Sequence, residues 1–351
     1  MLTNFYGFGL GGKNQGEMGV SGHIDFNYYD PLSGPLAKGI GNYGMATAIL
    51  PLGTNGNASY QKVIVGFNWM LTDGTPSQSV FAVLADTFNN PLICLRLESD
   101  WTVSILRGSD NAVLGHASAP LAAYAPTYIE WKVNLSTSPG DGDCALRING
   151  VPVLTLPGGI AITSSKATQI RFPWGPIQPT RVANVYVLDW SFDDPPYSDF
   201  LGPCVVLDLP PVNNGAKGEW SPGANNYAAV DDESADGGDG DATIVSTSAV
   251  SKCDLYAVAA PASYAVDRVY GVAAHVVGKK DSGEPLTGVT PVVKAGALPE
   301  LGCGTGFVFS TDGYQSFKAF WTGYLDGKSA LVPFQPADLA TLQGGFLSTN
   351  A

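Results

Sequence analysis

The densest carboxylate run in the chain is Asp231–Asp241, DDESADGGDGD, and carboxylates crowded on a glycine-rich loop can bind a hard cation such as Ca2+. Asp236, Asp239 and Asp241 are the candidate ligands. The spacing departs from known calcium loops: Gly237, Gly238 and Gly240 fit a GGxGxD repeat, but Ala242 falls where its aspartate belongs, and the EF-hand spacing fails. A solvated acidic loop is the expectation, with an oxygen-ligand Ca2+ site as its alternative. Trp174, in Phe172-Pro173-Trp174-Gly175-Pro176, is the candidate for ligand binding. The bracketing Pro and Gly put its ring in a loop near the surface, as an inter-domain or inter-subunit contact or a platform for a sugar. His23, His116 and His275 are scattered without zinc-ligand spacing, and neither a Gly-x-Ser-x-Gly elbow nor a phosphate-cradling loop occurs. The early GFGLGG, residues 7–12, opens no helix and is not a dinucleotide site. The sequence points to no cofactor, no catalytic residue and a non-enzymatic role.

The elements that must position such groups follow from composition and period. At 351 residues the chain is long enough for two domains, each with its own core. Gly (43) and Pro (25) are abundant and only 14% of residues are charged, which suits short strands joined by many turns. A formal net charge of −13 argues against a nucleic-acid partner, because phosphate binding needs concentrated Lys and Arg. No apolar run is long enough to span a membrane, and MLTNFYGFGLGG does not read as a signal peptide. Five cysteines without a CxxC pair fit free thiols in a reducing cytoplasm, with Cys94 and Cys144 acting as small hydrophobes within strands.

Alternation is persistent from Gly19 to Trp190. Val63, Val65, Phe67, Trp69 and Leu71 alternate with Gly66 and Asn68; Ile129, Trp131, Val133 and Leu135 alternate with Glu130, Lys132 and Asn134. Helical spacing would bury those charges, whereas a strand sends successive side chains to opposite faces. Asn149-Gly150 between two such runs predicts a two-residue type I′ hairpin, and Pro152 just beyond it predicts an edge position. About ten to twelve strands without helical pattern predict an antiparallel β-sandwich of two sheets.

The order Ile129-Glu130-Trp131-Lys132-Val133, then Cys144 through an Asn-Gly hairpin to Val153, resembles the concanavalin A-like/laminin-G-like jelly roll over residues 19–192. That family includes carbohydrate binders and glucanases. The glucanase branch carries E-x-D-x-x-E on one strand. Glu98 and Asp100 have the first spacing, but Val103 takes the last position, so both are expected to face solvent at a hairpin. Trp101 is expected in the core, heading a strand with Val103 and Ile105.

Trp190-Ser-Phe-Asp-Asp-Pro-Pro-Tyr marks the boundary to residues 193–351, and residues 1–18 form an arm. An ordered series follows: Asp199-Phe200-Leu201-Gly202, a strand from Cys204 to Leu209, Gly218-Glu219-Trp220, Asn226-Tyr227-Ala228-Ala229-Val230-Asp231, and Asp254-Leu255-Tyr256. This series resembles structural proteins of tailed-bacteriophage virions. Further strands are expected within 266–280, 289–294, 307–310 and 317–324. A short C-terminal helix from Pro336 should be stopped by Gly344-Gly345.

The resemblance implies a homo-oligomeric virion component, made in the host bacterial cytoplasm and displayed as a tail fibre, head fibre or decoration protein. Its partners would be other capsid or tail proteins, without nucleic acid or membrane insertion. A lectin for a bacterial surface glycan is the alternative, and a polysaccharide-cleaving enzyme a lesser one.

Overall fold

The computed structural model describes the strands within residues 5–51, and residues 52, 59–72, 74–158, 160–173, 180–191, 197–207, 209–230, 243–261, 266–280, 287–302, 306–309, 315–325 and 331–350. The protein is mainly β and divides into two compact units, Asn4–Leu207 and Asp208–Ala351.

The first unit opens with β1 (Phe5–Phe8), β2 (Gly19–Ser21), β3 (Ile24–Tyr29), β4 (Lys38–Asn42) and β5 (Thr47–Pro51). Next come β6 (Lys62–Leu71), β7 (Ser79–Ala85), β8 (Pro91–Leu97), β9 (Val103–Arg107) and β10 (Val113–His116). Then follow β11 (Thr127–Asn134), β12 (Asp143–Ile148), β13 (Val151–Leu156), β14 (Gln169–Pro173) and β15 (Thr180–Asp189). One sheet runs β13-β12-β11-β6-β15-β4-β3, with β1 also paired to β15; the other runs β10-β9-β8-β7-β14-β5-β2. The central ladders are antiparallel. Val63, Val65, Phe67, Trp69, Ile129, Trp131 and Val133 of the first sheet share one buried core with Leu84, Leu95, Ile105 and Phe172 of the second. Phe67 and Phe172 meet edge to face across it, with centroids 5.1 Å apart.

Asn149 and Gly150, with φ of 49° and 79°, form the two-residue turn between β12 and β13. Pro152 lies on β13, at the end of the described sheet order, where its missing N–H is tolerated.

The outer face of the first sheet departs from simple alternation, for Ile64, Gly66 and Asn68 are buried along with their inward neighbours. The Tyr186 ring covers Gly66, and segment 197–207 lies on the same face. The segment makes no ladder, and its polar groups instead engage the sheet's outward side chains. The strand expected from Cys204 is therefore absent from the described residues 204–207, where the Val206 N–H goes to the Asn184 side chain at 3.0 Å.

In the second unit the strands are β16 (Pro211–Gly218), β17 (Cys253–Val258), β18 (Val272–Gly278), β19 (Thr287–Ala295) and β20 (Leu301–Gly302). Then come β21 (Phe307–Val308), β22 (Gln315–Trp321), β23 (Gly323–Leu325), β24 (Leu331–Pro333) and β25 (Leu342–Asn350). A sheet runs β16-β17-β25-β19-β20, with β21 on β19, beside the ribbons β18–β22 and β23–β24. Pro336–Thr341 forms a 3-10 helix, opened by a capping box in which the Gln335 N–H donates to Asp338 at 2.7 Å. Gly344 and Gly345 do not stop a helix; they lie inside β25. A Cβ on Gly345 would strike the Asp254 carbonyl of the neighbouring strand, so the residue serves close strand approach.

Candidate functional site

Trp174, Asp236, Asp239 and Asp241 lie outside the described residues. Glu98 and Asp100 lie within them, at the hairpin joining β8 and β9. Glu98 corrects the solvent-facing expectation, being only 7% exposed. Two Arg96 nitrogens approach the same Glu98 oxygen at 2.8 and 2.6 Å. Burial opposes ionisation of Glu98, but hydrogen bonds from Ser104 and Arg96 and the Arg96 charge outweigh it, holding the carboxyl below its ordinary value. Asp100 is also lowered, by the Thr102 hydroxyl and backbone N–H. A glycosidase pair needs its carboxyls pushed apart, one kept protonated. Here both are pushed the same way.

A polar ladder continues across β9 and β10. The Thr102 hydroxyl donates to Asp100 at 2.5 Å and so accepts from His116 Nε2 at 2.9 Å, while His116 Nδ1 meets the Ser104 hydroxyl at 3.0 Å. Ser104 is 1% exposed, so this Ser–His contact cross-links the sheet rather than presenting a nucleophile.

The same hairpin ends in Trp101. It is only partly buried against the core, and its backbone is left-handed, with φ of 68°. The Glu98 N–H donates to the Thr102 carbonyl and the Trp101 N–H to the Glu98 carbonyl, a tight turn whose last residue normally is Gly or Asn. Tyr124, in the loop before β11, repeats the anomaly at φ 53° and is 51% exposed. The rings meet edge to face with centroids 5.3 Å apart, and the Tyr124 hydroxyl donates to the Gly74 carbonyl at 2.5 Å. A left-handed backbone costs a side-chain-bearing residue about 1–2 kcal/mol.

Two further nodes use the residues that carried the virion resemblance. On the outer face of the first sheet, Tyr186, Gly66, Glu130 and Arg147 lie in one row across four strands. With no side chain at Gly66, the Tyr186 ring crosses it, and its hydroxyl donates to Glu130 Oε1 at 2.6 Å. The same oxygen accepts the Gly202 N–H at 2.8 Å. Asp199 pairs with Lys132 at 2.9 Å, and Phe200 lies 4.1 Å from the Arg147 guanidinium. Glu130 is fully buried, a fate invisible in an alternating pattern that assigns it to the outward face.

In the second unit Asp254 is the hub. Its carboxyl oxygens accept from the Trp220 N–H at 2.8 Å, from the Asn226 amide, and from the Tyr256 hydroxyl at 3.1 Å. Asn226 also accepts from the Gly223 N–H at 2.8 Å and donates to the Trp220 carbonyl at 3.0 Å. Glu219 accepts the Cys253 N–H at 2.8 Å. Burial and the Asp254 charge push the Tyr256 hydroxyl well above its ordinary value, which keeps it a donor.

The chain matches no family model and no curated protein. Among solved structures, the cellulose-induced protein Cip1 is similar over 54% of this chain and 95% of its own, at 14% identity and a TM-score of 0.41. The carbohydrate-binding module CBM66 from Bacillus subtilis is similar over 53% and 96%, at 10% identity and 0.33. Domain 4 of an extracellular arabinanase from Geobacillus stearothermophilus, in complex with arabinotriose, is similar over 53% and 82%, at 15% identity and 0.34.

Proposed function

We propose that the protein is a non-enzymatic structural component of a tailed-phage particle, surface-exposed as a fibre or decoration protein and assembled as a homo-oligomer. The observation that carries this reading is the use made of the series from Asp199 to Tyr256. Asp199, Phe200 and Gly202 bind a segment to a sheet, and Trp220, Asn226 and Tyr256 all donate to Asp254. Residues used in this way set the shape of a part, which supports a structural role. Closed rotational symmetry is the usual way such parts assemble. Purified particles should contain the chain by mass spectrometry and bind antibodies against it in electron micrographs. Its absence from purified particles, with recovery only in the host's soluble fraction, would overturn the reading.

A second reading, recognition of a bacterial surface glycan by the first unit, is favoured by one observation: the exposed Tyr124 ring braced against Trp101.

A further inference from the structure

Eight described non-glycine residues have positive φ: Asn89, Asn111, Asn149, Asn184, Asn225, Ser251, Trp101 and Tyr124. Five are asparagine, the residue that tolerates this conformation best after glycine. Two are bulky aromatics, and those two touch each other. At the other described positions the chain meets the same backbone requirement with Asn, Gly or, at Ser251, a small serine, so large rings at both of these turns run against local preference. Backbone strain kept at neighbouring positions marks a place where the side chain itself is required.

What the strained pair presents is specific. Trp101 leans on the core, and Tyr124 stands on Trp101. The hydroxyl tie to Gly74 and the contact with Trp101 hold the outer ring at both ends, on a residue that stays exposed. A fixed Tyr ring gives a large amphipathic contact at low entropic cost. Its loop, Ala117-Ser-Ala-Pro-Leu-Ala-Ala-Tyr-Ala-Pro126, has no charged residue, and Ala122 and Ala123 beside the ring are short and exposed. The Tyr124 loop itself is uncharged, and the exposed Asp100 carboxylate lies one residue before Trp101. A specific protein partner covers on the order of 800 Å2 of surface per side, far more than one ring. One braced, exposed ring fits a ligand whose own face is ring-sized and apolar in its C–H groups, and the nearby Asp100 carboxylate disfavours an anionic one.

We infer that Trp101 and Tyr124 form a binding platform for a neutral pyranose of a bacterial surface polysaccharide, with Tyr124 stacking on the sugar and Trp101 positioning Tyr124. The inference rests on the glycan reading and is independent of where the chain sits on a particle. It adds to the Trp174 candidate a second platform, built of rings at turns where Gly or Asn would strain less.

The test uses the full chain on an array of immobilised bacterial surface polysaccharides, with titration of any that bind. The wild-type chain should bind at least one neutral glycan, Tyr124→Gly should lose about tenfold or more in affinity, and Tyr124→Phe should keep most of it. Tyr124→Gly should melt close to the wild type, since relief of the left-handed backbone offsets the lost Gly74 hydrogen bond and Trp101 contact. Binding that survives Tyr124→Gly unchanged would overturn the site and leave the glycan reading standing. No binding by the wild type to any polysaccharide would overturn the glycan reading, and the platform with it. A large fall in melting temperature for Tyr124→Gly would make the ring a structural brace, and a crosslink from Tyr124 to another virion protein would make it an assembly contact; either overturns the assignment.

Discussion

At the scale of single residues, Glu98 shows how a carboxyl that looks chemical is spent on stability. Its folded value lies below the ordinary 4.5 because Ser104 and Arg96 favour the ion more than burial disfavours it. The sign follows directly. The ionised form stabilises the fold fully above about pH 4.5, and that contribution is lost as pH falls through the lowered folded value. Glu98→Gln should therefore melt lower than the wild type near neutral pH, and the gap should close in acid. Thermal melts from neutral pH down to pH 3 check this, and a gap that stays constant would disprove it. Cys94 and Cys144 illustrate the opposite shift. Burial pushes both thiols up to about 12, so neither offers a thiolate at neutral pH. Neither should be alkylated in the native chain near pH 8, and both should react once denaturant is added, as peptide mass spectrometry would read.

At the scale of elements, the row Tyr186–Gly66–Glu130 decides whether segment 197–207 can dock. A methyl at position 66 would occupy the space of the Tyr186 ring, which is itself fully buried. Gly66→Ala should cost about 1–3 kcal/mol by overpacking. Chemical denaturation should show this as a lower midpoint, and Tyr186→Leu in the same chain should recover part of it. The strands were legible because period-two alternation and the Asn149-Gly150 turn are local signals. The burial of Glu130 was not, since it depends on a segment about seventy residues downstream folding back over the sheet. Glycines 344 and 345 misled for the same reason. Beside helix-forming neighbours they signal a helix stop, but the Asp254 carbonyl on β17 is what requires Gly345. Tyr124 left a faint trace, a lone aromatic among alanines and prolines. Nothing in that composition reveals its left-handed backbone.

At the scale of the whole molecule, the two units have separate cores, one built on Phe67, Trp131 and Phe172, the other on Val293, Trp321 and Phe334. Damage in one core should therefore remain local. Asp254→Ala leaves the Trp220 N–H, the Asn226 amide and the Tyr256 hydroxyl without their shared acceptor. At about 1–3 kcal/mol per buried group left unpaired, this should open residues 208–351. Cys253 should then become reactive while Cys94 and Cys144 stay protected; simultaneous exposure of all three would show a single cooperative unit instead. The docked segment also gives the chain a mechanical property. Tension arriving from residue 207 is borne first by Val206 on Asn184 and Gly202 on Glu130, in the middle of a broad sheet, before it can peel the last rungs of β15. The sandwich is gripped like a shackle pinned through its plate, so a pull on one end loads several strands at once.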